Sequence, residues 1–198
     1  NETDEDVKIT KLESMSGEEC ETYGIMEMMG IDGDFVIILP GSYIKTMYVN
    51  KNGEIVSIRT GMCGELIAAM SEHTLLRLSL PQPVIRTIIP QKLFQGFDYC
   101  TKHGTSPSLI KTRMVRVWLD WTEDEAANFF VGAALADDIR MTKEEQKKRR
   151  PLIVGGSNPL RQICTLLLNH CGAENIIEID DYVAKIAPNI GAMKVFNT

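Results

Sequence analysis

Five consecutive apolar residues, Phe35-Val36-Ile37-Ile38-Leu39, are closed by Pro40-Gly41. A strand with one wet face alternates apolar and polar side chains, so a short unbroken run belongs to a strand covered on both sides. The run therefore reads as a buried central strand. Ile44 to Val49 and Ile55 to Arg59 read as two more strands. Asn50-Lys51-Asn52-Gly53 joins them, and its Asn and Gly tolerate positive φ, so the pair is predicted to be a hairpin. A helix is predicted to begin at Cys63 to Glu65 and to carry Leu66, Ile67, Met70 and Leu75.

From about 80 to 150, Pro81, Pro83, Pro90 and Pro107 break the pattern into short pieces. One helix there is well marked. Thr122 and Glu125 form a capping-box pair ahead of Ala126, Phe129, Phe130, Ala133 and Ala134 at helical spacing. Leu152 to Val154 is a short strand ending in Gly155-Gly156-Ser157. Asn158 as N-cap and Pro159 in the first turn then open a helix. Its stripe is Leu160, Ile163, Cys164, Leu167, Leu168 and Cys171, and Gly172 stops it. Ile176 to Ile179 gives a last strand, and Asp180 opens a last helix through Tyr182, Val183 and Ile186, with Pro188 kinking or ending it. Residues 1–14, strongly acidic and without apolar periodicity, are expected to be a frayed lead-in, with the organised chain running over 15–198.

The predicted order is thus α/β: βββα, a helical insert at about 80–150, then βαβα. This matches one domain of the actin-like ATPase, ribonuclease-H-like architecture, with its second and third strands antiparallel and the later ones parallel.

Charge and cysteine usage exclude several classes. A net charge of -6 leaves no overall positive field for a phosphate backbone, so nucleic acid is not an expected partner. Lys147, Lys148, Arg149 and Arg150 follow Glu144 and Glu145 directly and read as a solvated helix end or loop. Cys20, Cys63, Cys100, Cys164 and Cys171 are odd in number and show no C-x-x-C pair, which fits a reducing, cytoplasmic setting. His73, His103 and His170 lack zinc-ligand spacing, so no structural metal is expected. No apolar run approaches the roughly 20 residues a membrane helix needs, and no membrane partner is expected.

Phosphoryl transfer asks a protein for a positioned hydroxyl, a base near it, chelated phosphates and donors for the phosphoryl oxygens. Several stretches have the right chemistry, each beside a plainer reading. Pro40-Gly41-Ser42 follows a buried strand, so its N–H groups can converge on phosphate oxygens, or it is an ordinary hairpin turn. Lys45 can neutralise phosphate or be a solvated strand residue. Glu18 and Glu19 point about 100° apart on a helix, so one can serve as base while the other is solvated. Both can instead simply favour the positive end of a helix. Cys63, Gly64 and Glu65 stand at another helix start, with Gly64 permitting close backbone approach and Glu65 contacting substrate or capping the helix. Gly155, Gly156, Ser157 and Asn158 form a strand-to-helix turn suited to phosphate or adenosine contact, or a simple connection.

Four of these stretches, in order, resemble the 2-keto-3-deoxygalactonokinases. They are Met15-Ser16-Gly17-Glu18-Glu19-Cys20, Leu39-Pro40-Gly41-Ser42-Tyr43-Ile44-Lys45, Arg59-Thr60-Gly61-Met62-Cys63-Gly64-Glu65-Leu66 and Val154-Gly155-Gly156-Ser157. The likeness runs in register from Met15 to Gly191. The family has Arg at Ser16, Thr at Cys20, Thr and His at Ser42 and Tyr43, Thr at Cys63, and Glu at Asp138. The resemblance implies that Pro40-Gly41-Ser42 is the second phosphate loop, that Glu18 is the base, and that Gly155 to Asn158 contact nucleotide. Cys63, Gly64, Glu65 and Asp138 become substrate or interface residues, with a solvated helix face the plainer reading of Asp138. It also implies ATP and Mg2+ as cofactors, the 6-hydroxyl of 2-keto-3-deoxygalactonate as acceptor, and an N-terminal domain carrying an Asp-x-Gly-Thr-Thr phosphate hairpin that this sequence does not contain. Alone, the chain is then expected to be inactive. The changes at Ser16 and Tyr43 bear on which sugar acid is accepted. The main rival is a non-catalytic nucleotide- or sugar-binding regulator of kinase ancestry; an actin-like structural domain is disfavoured because nothing in the sequence resembles a polymer contact. An upstream Asp-x-Gly-Thr-Thr hairpin separates the enzyme from the binder.

Overall fold

A computed structural model describes residues 3–142 and 150–196. Five strands form one mixed sheet: β1 (Phe35–Pro40), β2 (Ile44–Val49), β3 (Ile55–Gly61), β4 (Leu152–Val154) and β5 (Ile176–Glu178), in spatial order β3-β2-β1-β4-β5. The β1–β2 and β2–β3 pairs are antiparallel, whereas β1–β4 and β4–β5 are parallel. Helices are α1 (Asp4–Thr10), α2 (Glu18–Met29), α3 (Cys63–His73), α4 (Pro90–His103), α5 (Thr105–Trp118), α6 (Glu123–Met141), α7 (Leu160–His170) and α8 (Asp181–Phe196).

All six β1 residues are buried, as the unbroken apolar run requires. Their side chains alternate between two cores. Phe35, Ile37 and Leu39 join Met47, Val49 and Ile153 beneath Ile25 of α2 and Ala187 of α8. Val36 and Ile38 join Ile44, Leu152 and Val154 beneath the helices of the other face. A buried aliphatic or aromatic side chain stabilises by about 1.5–3 kcal/mol. Five of them in one strand therefore rival the net stability of a domain, about 5–15 kcal/mol.

On the second face α3, α6 and α7 share the core, with α4 and α5 packed on α6. The sequence reads α6 as one apolar stripe, but every residue from Ala126 to Ala136 is buried because α3, α4, α5 and α7 surround it. Its capping box forms as expected from Thr122 and Glu125.

Four expectations need correction. Residues 4–10 are not frayed: Thr3 and Asp6 form a capping box that starts α1, a signal hidden within the acidic run. Asn158 does not cap α7 in the expected way. The Asn158–Pro159 peptide is cis, the helix begins at Leu160, and the Asn158 side-chain oxygen accepts from Gln162 N–H at 3.3 Å. Pro188 sits inside α8 without ending it, because losing one N–H costs a single helical bond while Ala187 and Gly191 hold the helix on α2. Arg150 is not solvated. It lies 4.0 Å over the Tyr48 ring and pairs with Asp34 at 3.1 Å, tying the start of β4 to β1 and β2. Lys147, Lys148 and Arg149 lie outside the described residues.

Helices α2 and α8 cross at backbone contact: a Cβ on Gly24 would collide with the Ala187 carbonyl, and one on Gly191 with the Cys20 carbonyl. We expect Gly24→Ala to destabilise the protein by about 1–3 kcal/mol, the usual cost of overpacking. Urea unfolding checks this, and a change below about 0.5 kcal/mol, the size of an ordinary surface effect, would show that the crossing can open without cost.

Candidate active site

β1 and β4 are parallel neighbours, so they end at the same edge of the sheet, in Pro40-Gly41 and Gly155-Gly156. From β1 the chain leaves toward β2 on one side, and from β4 toward β5 on the other. In open α/β sheets the crevice at such a point of divergence is where ligands bind. Here the two turns touch, because a Cβ on Gly156 would lie 2.5 Å from the Pro40 carbonyl oxygen. Gly155 N–H is used by the sheet, donating to Ile38 O at 2.9 Å. Gly41, Ser42, Ser157 and Asn158 are exposed. Among the described residues, their main-chain N–H groups donate to no protein atom.

The amino end of α3 backs the Gly41 turn. Glu65 N–H donates to Ser42 O at 2.9 Å, and a Cβ on Gly64 would lie 2.8 Å from Ser42 Cα. Gly64 is thus required for packing, as its small size predicts. Glu65 itself presents an exposed side chain.

Helix α2 approaches from the opposite face of the sheet. The Glu18 carboxylate accepts from Ser16 N–H at 2.6 Å and stands 4.0 Å from Lys45 Nζ. The Glu19 carboxylate accepts from Gly17 N–H at 3.0 Å. Both therefore bond main-chain N–H groups at the start of the helix, the placement its positive end favours. Lys45 is neither solvated nor free. It is 4% exposed, and its ammonium donates to Ser14 O at 2.5 Å and to Thr60 Oγ1 at 2.9 Å. Its alternation with Met47 and Val49 points it beneath α2, where water cannot reach it. Glu13 completes this corner, accepting from the Thr60 hydroxyl at 2.5 Å and from Thr60 N–H at 3.3 Å.

A model of the 2-keto-3-deoxy-galactonokinase family matches residues 4–186. This chain belongs to that family. A solved structure of a protein from Sinorhizobium meliloti, provisionally named as a 2-dehydro-3-deoxygalactonokinase, is similar in fold, with a TM-score of 0.77 and 17% identity. The likeness covers 94% of this chain but only 62% of that one. Among curated proteins none matches the sequence.

Within this galactonokinase-family chain, two residues that sequence reasoning passed over grip the Gly156 peptide. Glu21 of α2 accepts from Gly156 N–H at 3.0 Å, and Arg161 of α7 donates to Gly156 O at 3.0 Å. Glu21 is three residues beyond Glu18, so helical spacing alone puts both on one face. Arg161 shares a helix face with Cys164 and Leu168, and a charged residue on that apolar stripe was the available signal. Burial raises the proton affinity of Glu21, the Gly156 N–H opposes this, and the neighbouring Glu18 charge adds to it.

On the other face Asp138 meets Cys63; Cys63 is buried and Asp138 half-buried. Cys63 is 2% exposed and donates to Asp138, while a Cβ on Gly61 would collide with the Asp138 carboxylate. Burial, and then the Asp137 charge, lift Asp138 to about 6 against the Cys63 hydrogen bond. Burial foremost, then Asp138, raise the Cys63 thiol to about 12. A carboxyl whose folded pKa is raised stabilises fully below its unfolded value near 3.8, and that contribution is lost as pH rises through about 6. We therefore expect Asp138→Asn to gain stability over wild type between pH 4 and 7.5, by about 1–2 kcal/mol after allowance for solvent screening. Unfolding midpoints across that range test it. A difference that stays flat with pH would show that Asp138 carries no buried charge.

Proposed function

We propose that this chain is the C-terminal part of a sugar-acid kinase of actin-like architecture. It would bind the phosphates of ATP at the paired turns and present Glu18 to the acceptor hydroxyl. The observation that carries the reading is the pair of turns at the ends of adjacent parallel strands, with exposed, unused N–H groups at Gly41, Ser42, Ser157 and Asn158. Such a cradle suits phosphate oxygens, and Gly41 leaves the approach open because the nearest atom to a Cβ there is Tyr43 O at 3.4 Å.

Each group then has a distinct task. The N–H groups of the two turns orient and neutralise phosphate. Glu18, held by Ser16 N–H and steadied by Lys45, accepts the proton of the attacking hydroxyl. Lys45 acts through Glu18 and through the strap at Ser14 rather than on phosphate. Mg2+, when bound, would supply charge neutralisation for the phosphates, and of the α2 carboxylates Glu21 is the one that touches a turn, through the Gly156 N–H. Glu65 supports the turn through its N–H on Ser42 O, Gly64 lets α3 reach it, and Asp138 holds Cys63 at the start of that helix. The acceptor we propose is the 6-hydroxyl of 2-keto-3-deoxygalactonate. An upstream domain with an Asp-x-Gly-Thr-Thr hairpin would complete the cleft, so the chain alone should transfer no phosphate. Four buried free thiols, Cys20, Cys63, Cys100 and Cys164, support a reducing, cytoplasmic setting.

Gly41→Val is the sharper test of the nucleotide site, because Gly41 is open whereas Gly156 has φ +72° and packs on Pro40. We expect Gly41→Val to weaken ATP binding in calorimetry about tenfold or more without lowering the melting temperature. Unchanged affinity would remove this turn from the site. In a protein carrying the upstream domain, Glu18→Gln should lower turnover on the sugar acid about 10²–10⁴-fold with little effect on ATP affinity, and Glu19→Gln should be much milder. Near-normal turnover of Glu18→Gln would place the base elsewhere. Nucleotide binding without any phosphoryl transfer by that wild-type protein would favour a regulatory binder.

A further inference from the structure

We propose that Glu21 and Arg161 are positioning residues that hold the Gly156 peptide from both sides and so preset the phosphate-facing turn relative to the helix that carries Glu18. The proposal rests on the reading of Gly155 to Asn158 as the nucleotide side of the site. It assigns a role to two side chains outside the turn itself.

The geometry fixes Gly156 in three ways. Its N–H is taken by Glu21 at 3.0 Å, and its carbonyl receives the Arg161 guanidinium at 3.0 Å. Its Cα faces the Pro40 carbonyl oxygen, 2.5 Å from where a Cβ would stand. Gly156 is partly buried, and both its N–H and its carbonyl bond long side chains from two different helices rather than main chain. What the two side chains add is rigidity. An anion cradle binds most tightly when its N–H groups are already aimed, because no ordering cost remains at the moment of binding.

The clamp is also anchored at both ends. Arg161 is 3% exposed and reaches Glu178 at the end of β5 (3.5 Å) as well as Asp181, the first residue of α8. Helix α8 packs on α2 through Gly24 with Ala187 and Gly191 with Cys20. A closed path therefore runs from α2 through Glu21, Gly156, Arg161 and Asp181 into α8, and back to α2. Along it the Glu18 helix and the glycine turn cannot shift independently. Glu21, one helical turn from Glu18, is the link that joins the two halves of the site.

The test compares side chains that keep or withdraw the acceptor at position 21, using this chain and a non-hydrolysable ATP analogue as probe. Glu21→Gln keeps an oxygen within reach of Gly156 N–H. Glu21→Ala removes it, and Glu21→Asp keeps the charge but withdraws it by one methylene. We expect Glu21→Ala and Glu21→Asp to raise the Kd of the analogue about tenfold and to speed hydrogen exchange over residues 154–158, while Glu21→Gln stays within about twofold of wild type in both. Melting temperatures identify any variant that is merely unfolded, and if Glu21→Ala is lost in this way Glu21→Asp decides. Wild-type affinity in Glu21→Asp, or a loss in Glu21→Gln as large as in Glu21→Asp, overturns the proposal while leaving the nucleotide site standing. Failure of the wild-type chain to bind the analogue at all overturns the site itself, and the proposal with it.

Discussion

Strand β4 joins β1 on the edge that β2 leaves open, and both strands are sealed between two helical layers. With no water on either face, every main-chain group must find its partner in the sheet. The parallel pairing of Val36 to Ile38 with Leu152 to Val154 supplies those partners. Because parallel strands end on the same side, this pairing also sets the glycine turns after β1 and β4 next to each other, although they are 115 residues apart in sequence (Gly41 to Gly156). The site follows from the packing of the core.

Local chemistry made much of this architecture legible. The apolar run at Phe35 to Leu39, the Asn-Gly loop and the Thr122–Glu125 capping box each report a local requirement, and each produced the predicted element. Elements whose form depends on distant neighbours were harder to read. α6 is buried all round because four helices enclose it, a property no window of its own sequence contains. Glu13 and Ser14 looked like lead-in because their partners, Thr60 and Lys45, lie more than 30 residues away. The same holds for the Gly156 clamp, whose members come from α2 and α7.

Lys45 shows how far a residue's role can depend on burial. From sequence, a lysine beside a candidate phosphate loop suggests direct charge neutralisation. In the fold it is 4% exposed, and a carbonyl, a hydroxyl and the nearby Glu18 surround its ammonium. Removing an ammonium from water costs several kcal/mol unless such partners compensate, so that charge is already committed. On the proposed reading, the turns themselves hold the phosphates through main-chain N–H groups, which are uncharged and are aimed only by the backbone. In such a site the shape of the turns matters more than the count of basic side chains, consistent with a net charge of -6 for the whole chain.

The glycines divide along the same line. Gly24, Gly96, Gly132 and Gly191 let helices cross at backbone contact, and Gly64 lets α3 reach Ser42; in each, a Cβ would meet main-chain atoms. Gly156 combines packing with a positive φ of +72°. Gly41 differs from all of these: its φ is not in the left-handed region, and the nearest atom to a Cβ would be Tyr43 O at 3.4 Å, so neither sterics nor backbone strain requires a glycine there. On the proposed reading, the room that Gly41 leaves at the mouth of the two turns is the room a phosphate would occupy.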